Sequence, residues 1–206
     1  MACVGARFWS HGRVSWLDRF FRARGDPTRA WVADAGLELV LDLDQHTLAG
    51  DALGAQPLAL RGLGPAEGSR NAARGILCYP RRGLQLDLDL RPGAGGPRLE
   101  GWVLLFGAAE QGGFAFAGSC RQGGRRWDLH AGVSEEDVVA RLGPPLEREE
   151  DGPQDAVLYY VRRRASGPDV EWQISFDGGR LDDWVVCTPP TRAVGRSERS
   201  RDDRTV

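Results

Sequence analysis

The chain has 206 residues, 41% hydrophobic and 27% charged, with a formal net charge of −2. This is the composition of a soluble globular protein, and it excludes collagen, a coiled coil and a wholly disordered chain. Asp, Arg or Gly breaks every apolar run well short of the roughly 18 residues a membrane-spanning helix needs, so no transmembrane segment is expected.

The charge is unevenly placed. Residues 1–30 hold six Arg against Asp18 and Asp26, and residues 191–206 hold five Arg against three acids. Residues 31–190 are left with 16 basic and 24 acidic groups, so an acidic body at −8 is offset by basic ends at +6. Such a body is poorly suited to phosphates, and no nucleic acid is expected as a partner. All 27 basic residues are Arg, beside 28 Gly and 12 Pro, which reads as the bias of a GC-rich bacterial genome.

In chain order, MACVGARFWSHGRVSW lacks the continuous apolar region of a signal peptide, so a cytoplasmic location is expected. Val14 fits a GTG start codon, in which case residues 1–13 are an extension foreign to the native protein. From Ser15 onward, Trp16, Leu17, Phe20 and Phe21 fall on one side of a short helix, with Asp18, Arg19 and Arg22 on the other. Its expected role is a lid packed on the body, with a membrane-surface anchor as the alternative. The four cysteines, Cys3, Cys78, Cys120 and Cys187, are far apart and form no CxxC pair, so buried thiols are expected rather than disulfides.

The body reads as a tandem duplication. Leu63-Gly64-Pro65 returns as Leu142-Gly143-Pro144, 79 residues later. Ile76 to Tyr79 answers Val157 to Tyr160, Leu84 to Leu86 answers Trp172 to Ile174, and Arg98 to Val103 answers Arg180 to Val185. The predicted fold is α+β: two tandem ββαβββ repeats, each an antiparallel sheet with a short helix packed on one face. Their limits are 31–110 and 111–190, between an N-terminal extension, 1–30, and a disordered tail, 191–206.

In the first repeat, Leu37 to Asp44 and His46 to Ala49 predict a hairpin, Pro57 to Leu63 a short helix, and 75–80, 84–90 and 99–106 three strands. In the second, Phe114 to Arg121 and Arg126 to His130 flank a Gly123-Gly124 turn. Ser134, followed by Glu135, Glu136 and Asp137, then starts a helix that Gly143-Pro144 stops. After a charged loop, 147–155, strands are predicted from Ala156 to Arg163, Val170 to Phe176 and Leu181 to Cys187.

Little of this points to catalysis. Asp42, Asp44, Asp87 and Asp89 alternate with leucines and read as a solvated sheet face, without the loop spacing of a Ca²⁺ site. His46 and His130 show no metal or nucleophile spacing with Cys78 or Cys120. The glycine runs at 93–96 and 112–113 lack the strand-to-helix context and Lys of a phosphate loop. Arg162, Arg163 and Arg164 read as a solvated edge. No catalytic residue, cofactor or metal is therefore expected. Core packing accounts for Tyr79, Trp102, Tyr160, Trp172 and Trp184; as an exposed aromatic patch they are instead candidate contacts for a protein partner.

The segment from Gly132 to Pro145, GVSEEDVVARLGPP, resembles the glycine, Ser/Thr, acidic helix, Leu-Gly-x-Pro motif of the SmpA/OmlA (BamE) family and of the related tandem β-lactamase-inhibitor-protein fold. That resemblance implies a non-enzymatic module that binds other proteins through its sheet and loops. The expected function is thus a protein-binding module, inhibitor- or immunity-like, whose acidic body meets a basic partner. The alternative is an enzyme or small-ligand binder with its site in the groove between repeats, near Gly143 or Gly64.

Overall fold

The computed structural model describes residues 26–67, 75–91, 96–107, 115–116, 118–150, 152–164 and 169–188. The helix expected after Ser15, Cys3, the tail from Thr191 and most of the two glycine runs lie outside them.

The described chain is mostly β, and the α+β repeat architecture does not form. Its strands are β1 (Val40–Asp42), β2 (Thr47–Leu48), β3 (Asp51–Ala52), β4 (Ile76–Tyr79), β5 (Leu84–Asp89), β6 (Arg98–Leu105), β7 (Ser119–Gln122), β8 (Arg125–Asp128), β9 (Glu147–Glu150), β10 (Ala156–Arg162), β11 (Val170–Asp177) and β12 (Arg180–Cys187). They make a five-stranded sheet ordered β3-β2-β1-β7-β8 and a seven-stranded sheet ordered β4-β5-β6-β12-β11-β10-β9. Neither of the two expected repeats keeps a sheet of its own. Each leading hairpin forms, but β1 then pairs in parallel with β7, so both hairpins merge into one small sheet. Likewise β6 pairs antiparallel with β12, through Trp102↔Val186, Val103↔Val185 and Leu104↔Trp184, and fuses the three-stranded meander β4–β6 with the four-stranded meander β9–β12.

One α-helix is present among the described residues, α1 (Glu135–Leu142), in the second half only. Its start is as the sequence predicts: Ser134 accepts from the Asp137 amide and the Asp137 carboxylate accepts from the Ser134 amide, a capping box. The matching segment of the first half makes only a 3₁₀ turn over Leu60–Leu63. Gly62 and the flanking Pro57 and Pro65 account for this, since glycine in a helix interior costs about 1 kcal/mol relative to alanine and proline removes a donor. The loop expected over 147–155 contains β9, an extra strand formed of exposed Glu and Arg.

The small sheet, α1 and the 3₁₀ turn all pack on one face of the large sheet. Trp127 of β8 lies 6.2 Å from Trp184 of β12, and His46 lies edge-on to Trp172 of β11 at 5.6 Å between ring centroids. Leu60, Leu63, Val138 and Leu142 join the same core cluster as Leu77, Leu86, Trp102, Ile174 and Trp184. The core is therefore continuous across both expected repeats. No helix among the described residues is long and apolar enough to cross a membrane.

The two Leu-Gly-Pro motifs take matching conformations, with Gly64 at φ 77°, ψ −167° and Gly143 at φ 82°, ψ −176°. That region is essentially closed to residues with a Cβ. Each glycine carbonyl accepts a hydrogen bond of 3.1 Å from a tyrosine hydroxyl, Tyr79 to Gly64 and Tyr160 to Gly143. The tyrosines stand on the penultimate or edge strands, β10 and β4, so each ties a turn leading out of the helical segment to the large sheet. Replacing either tyrosine by Phe leaves a carbonyl without that donor, buried at Gly64 and half-buried at Gly143. Tyr79→Phe and Tyr160→Phe should each lower the unfolding free energy by about 1–2 kcal/mol. Urea titrations of the two variants check this, and midpoints equal to that of the parent chain would contradict it.

Candidate functional site

The five aromatics proposed as partner contacts are all in the core: Tyr79 and Trp102 at 1% and 0% exposure, Tyr160 and Trp172 at 2%, and Trp184 at 0%. Trp172 contacts Trp184, Tyr160 and His46, the arrangement expected of aromatic packing rather than of a surface patch.

The opposite face of the large sheet is the more informative surface. Strand alternation and register place three rows of side chains on it. One runs Leu105, Asp183, Ser175, Val157, Glu149; the next runs Cys78, Gln85, Val103, Val185, Gln173, Tyr159, Glu147; the third runs Ile76, Asp87, Gly101, Cys187, Glu171, Val161. These rows alternate apolar and acidic or amide groups and hold no arginine. No described helix or strand packs over them. Even so, Val103, Gln173 and Asp183 in the middle are only 8%, 7% and 8% exposed.

The polar groups of this face are held by one another. Gln85 donates to Asp87 at 3.0 Å and Gln173 donates to Glu171 at 2.7 Å, each along its own strand. The Ser175 hydroxyl donates to Asp183 at 2.9 Å across β11 and β12, and the Tyr159 hydroxyl donates to Glu149 at 2.9 Å. Of the four aspartates expected to be solvated, Asp87 departs: burial raises its pKa, with the Gln85 hydrogen bond opposing. Asp42 instead caps the β1–β2 turn, accepting from the Asp44 and Gln45 amides, and Asp89 pairs with Arg91. Asp183 was not singled out by sequence reasoning. Its available signal was the apolar runs around it and around Val103, WVLLF and WVVC, which mark strands buried on both faces.

Two further places collect charged groups. A cleft of about 180 Å³ lies beside the start of the β1–β7 pair and is lined by Glu38, Arg81, Arg82, Ser119 and Arg126 among others. Its arginines are solvated and partly paired, Arg81 with Glu67 at 3.8 Å and Arg126 with Asp128 at 3.3 Å. Neither Gly64 nor Gly143 lines this cleft, and the carbonyls of both accept from tyrosines. The second place is around His46, which adopts φ 52° and whose Nδ1 is buried without a protein partner. Burial, then Arg164 and Arg162, lower its pKa. Arg162 is not the solvated edge residue expected. It stacks 5.2 Å from both Tyr160 and Trp172 and donates to the Leu142 carbonyl at 2.8 Å, while Arg164 donates to the Leu53 carbonyl at 3.3 Å. Arg162 thus ties the end of α1 to β10, and Arg164 reaches the segment that follows β3. His130 accepts from the Gly132 amide through Nδ1. Cys120 is buried, and burial pushes its thiol up to about 12. Among the described residues, no three His, Cys, Asp or Glu are grouped to hold a metal ion.

Asp183 gives the face a pH dependence. Burial raises its carboxyl from 3.8 to about 6, the Ser175 hydrogen bond opposing and the neighbouring Asp182 charge adding. Because the folded value lies above the unfolded one, the native state retains a proton that the unfolded chain has lost. The contribution is complete below about pH 4 and is lost as the pH rises through about 6. Asp183→Asn keeps an acceptor for Ser175 but carries no charge. Its stability relative to the parent chain should therefore rise by about 1–3 kcal/mol between about pH 4 and about pH 8. Urea unfolding at both pH values measures this, and a pH-independent difference would contradict it.

Comparison with known proteins finds no protein-family model, no curated protein and no solved structure that matches the chain. The resemblance of Gly132 to Pro145 to the SmpA/OmlA (BamE) family gains no support from them.

Proposed function

We propose that the chain is a non-catalytic protein-binding module, and that its docking surface is the outer face of the seven-stranded sheet. The observation that carries this reading is the chemistry of the three rows. Ile76, Val103, Val157, Val161 and Val185 provide an apolar field, and Asp87, Glu171, Asp183, Glu147 and Glu149 set carboxylates within and around it. A sheet face that mixes valines with carboxylates is suited to an amphipathic protein segment rather than to a small molecule. The partner is basic, because the rows contain acids and no arginine and because the body as a whole is at −8. The cleft near Arg81 and Arg126 is a less favoured surface, since its arginines are solvated.

Glu171→Arg places a repelling charge on the face at a half-buried position. Captured from a cell lysate at low salt, the specific partner should bind this variant at least about tenfold more weakly than the parent chain. Arg126→Glu, in the cleft, should leave capture unchanged. The same set of bound proteins on the parent and on Glu171→Arg, or bound proteins that resist high salt, would overturn the reading.

A further inference from the structure

We propose that the cleft where the β4–β5 turn meets the small sheet binds a short phosphate ester, a ligand with a phosphate dianion at one end and a few carbons at the other. This site is separate from the outer face of the large sheet and does not depend on that face being a docking surface.

Two fixed pieces of backbone form the cleft. Between β4 and β5, Pro80–Arg82 make a 3₁₀ turn that Gly83 closes in the left-handed conformation, at φ 57° and ψ 40°. The Gly83 amide donates to the Pro80 carbonyl at 3.1 Å, and the Gly83 carbonyl accepts from the Leu105 amide of β6 at 2.8 Å. Two consecutive arginines are thus presented from a turn tied to the large sheet. In the small sheet, Ser119 is fixed at the start of β7 by pairing with Val40 on one side and Asp128 on the other. Only glycine fits before it, since a Cβ at Gly118 would overlap the Phe116 ring and the Leu39 carbonyl oxygen.

Three observations point to the ligand. The first is charge. Arg81, Arg82 and Arg126 line one cleft of about 180 Å³, and Glu38 is the one carboxylate among the described lining residues. Arg82 has no hydrogen-bond or ion-pair partner among the described residues. Arg81 and Arg126 meet Glu67 at 3.8 Å and Asp128 at 3.3 Å, but both guanidiniums are exposed. Such pairs are worth at most about 1 kcal/mol, and a guanidinium has donors to spare for a ligand.

The second is Ser119, which is 3% exposed, lines the cleft, and has a hydroxyl with no hydrogen-bond partner among the described residues. Buried hydroxyls are ordinarily hydrogen-bonded, and a ligand oxygen supplies what the protein does not. The third is the match of donors and room. Three guanidiniums and a hydroxyl offer more donors than the roughly four acceptor sites of a carboxylate, whereas phosphate brings three strongly accepting oxygens. The cleft holds roughly the volume of six liquid waters, more than phosphate fills, and Leu37, Leu39 and Val40 make the rest of its wall apolar. The acidity of the surrounding body, at −8, restricts the ligand to one small enough to lie within the cleft.

Calorimetric titration of the full-length chain at low salt and about pH 8, where a phosphate ester is a dianion, tests the site with n-propyl phosphate as the probe. The ester should bind with a Kd below about 1 mM, and inorganic phosphate at least about tenfold more weakly because it leaves the apolar wall unfilled. Arg82→Gln should weaken the ester at least about tenfold and Ser119→Ala about threefold, whereas Glu38→Gln should tighten it about threefold. Arg91→Gln, at the far end of β5 where Arg91 pairs with Asp89, should leave it unchanged.

Absence of binding up to about 10 mM ester would overturn the proposal. So would equal affinity in Arg82→Gln, or an equal loss in Arg91→Gln, which would reduce the effect to general surface charge. Inorganic phosphate as tight as the ester would mean an adventitious ion only, and glutarate as tight as the ester would make this a carboxylate site; either result also overturns it. Should Arg82→Gln misfold, the sign of the Glu38→Gln effect decides, because only an anion in the cleft gains from removing that charge. The capture experiment with Glu171→Arg reads the outer face alone, so the two ideas fail separately.

Discussion

The antiparallel pairing of β6 with β12 is the constraint on which the rest of the structure depends. Without it the chain would hold a three-stranded and a four-stranded meander, each with a narrow apolar face that its own hairpin and turn would have to cover. With it, Trp102 and Trp184 sit on adjacent strands at the centre of one broad sheet, fully buried. A surface that wide needs more cover than α1 and a 3₁₀ turn provide. The merging of both hairpins into a single five-stranded sheet supplies it, with Trp127 reaching Trp184 and His46 reaching Trp172. The same pairing gives the opposite face its breadth, since Val103 and Val185 are brought side by side in the middle of it. Core and candidate site are thus two sides of one interaction.

The recurrent Leu-Gly-Pro motif has a mechanical meaning that does not depend on a repeated fold. Glycine permits the unusual backbone, proline prevents the preceding turn from continuing, and a tyrosine hydroxyl from the sheet satisfies the exposed carbonyl. The same device follows a real helix in one half and a single 3₁₀ turn in the other. A motif of this sort fixes where a chain leaves one element for the next, and says little about what the element before it is.

The legible parts of the fold were those decided locally. Six strands, β4 to β6 and β10 to β12, follow from alternation and turn glycines, and α1 follows from Ser134, its acidic first turn and Gly143. Pairings over some eighty residues, β1 with β7 and β6 with β12, leave no local trace, and they determine the architecture. β9 was hidden because Glu147 to Glu150 gain their strand geometry from β10, with Arg148 also bound to Glu135 and Glu150. Asp87 and Asp183 resemble solvated acids in sequence, because alternation shows that a residue faces away from the core but not what lies on that side. Likewise Arg162 resembles one more basic edge residue in sequence, whereas in the fold Tyr160, Trp172 and the end of α1 surround it.

The order of these pairings also bears on how the protein is made. At a synthesis rate of roughly 5–20 residues per second, the roughly eighty residues between β6 and β12 keep β6 waiting several seconds for its neighbour. During that interval Trp102, Val103 and Leu104 lie along an open sheet edge on the ribosome, and β1 likewise lacks β7. The finished molecule places its short or charged strands, β3, β8 and β9, at the sheet rims, together with β4 flanked by the 64–67 loop. Its most adhesive strand is enclosed only after the second half has emerged, so the nascent chain is more exposed to misassociation than the mature one.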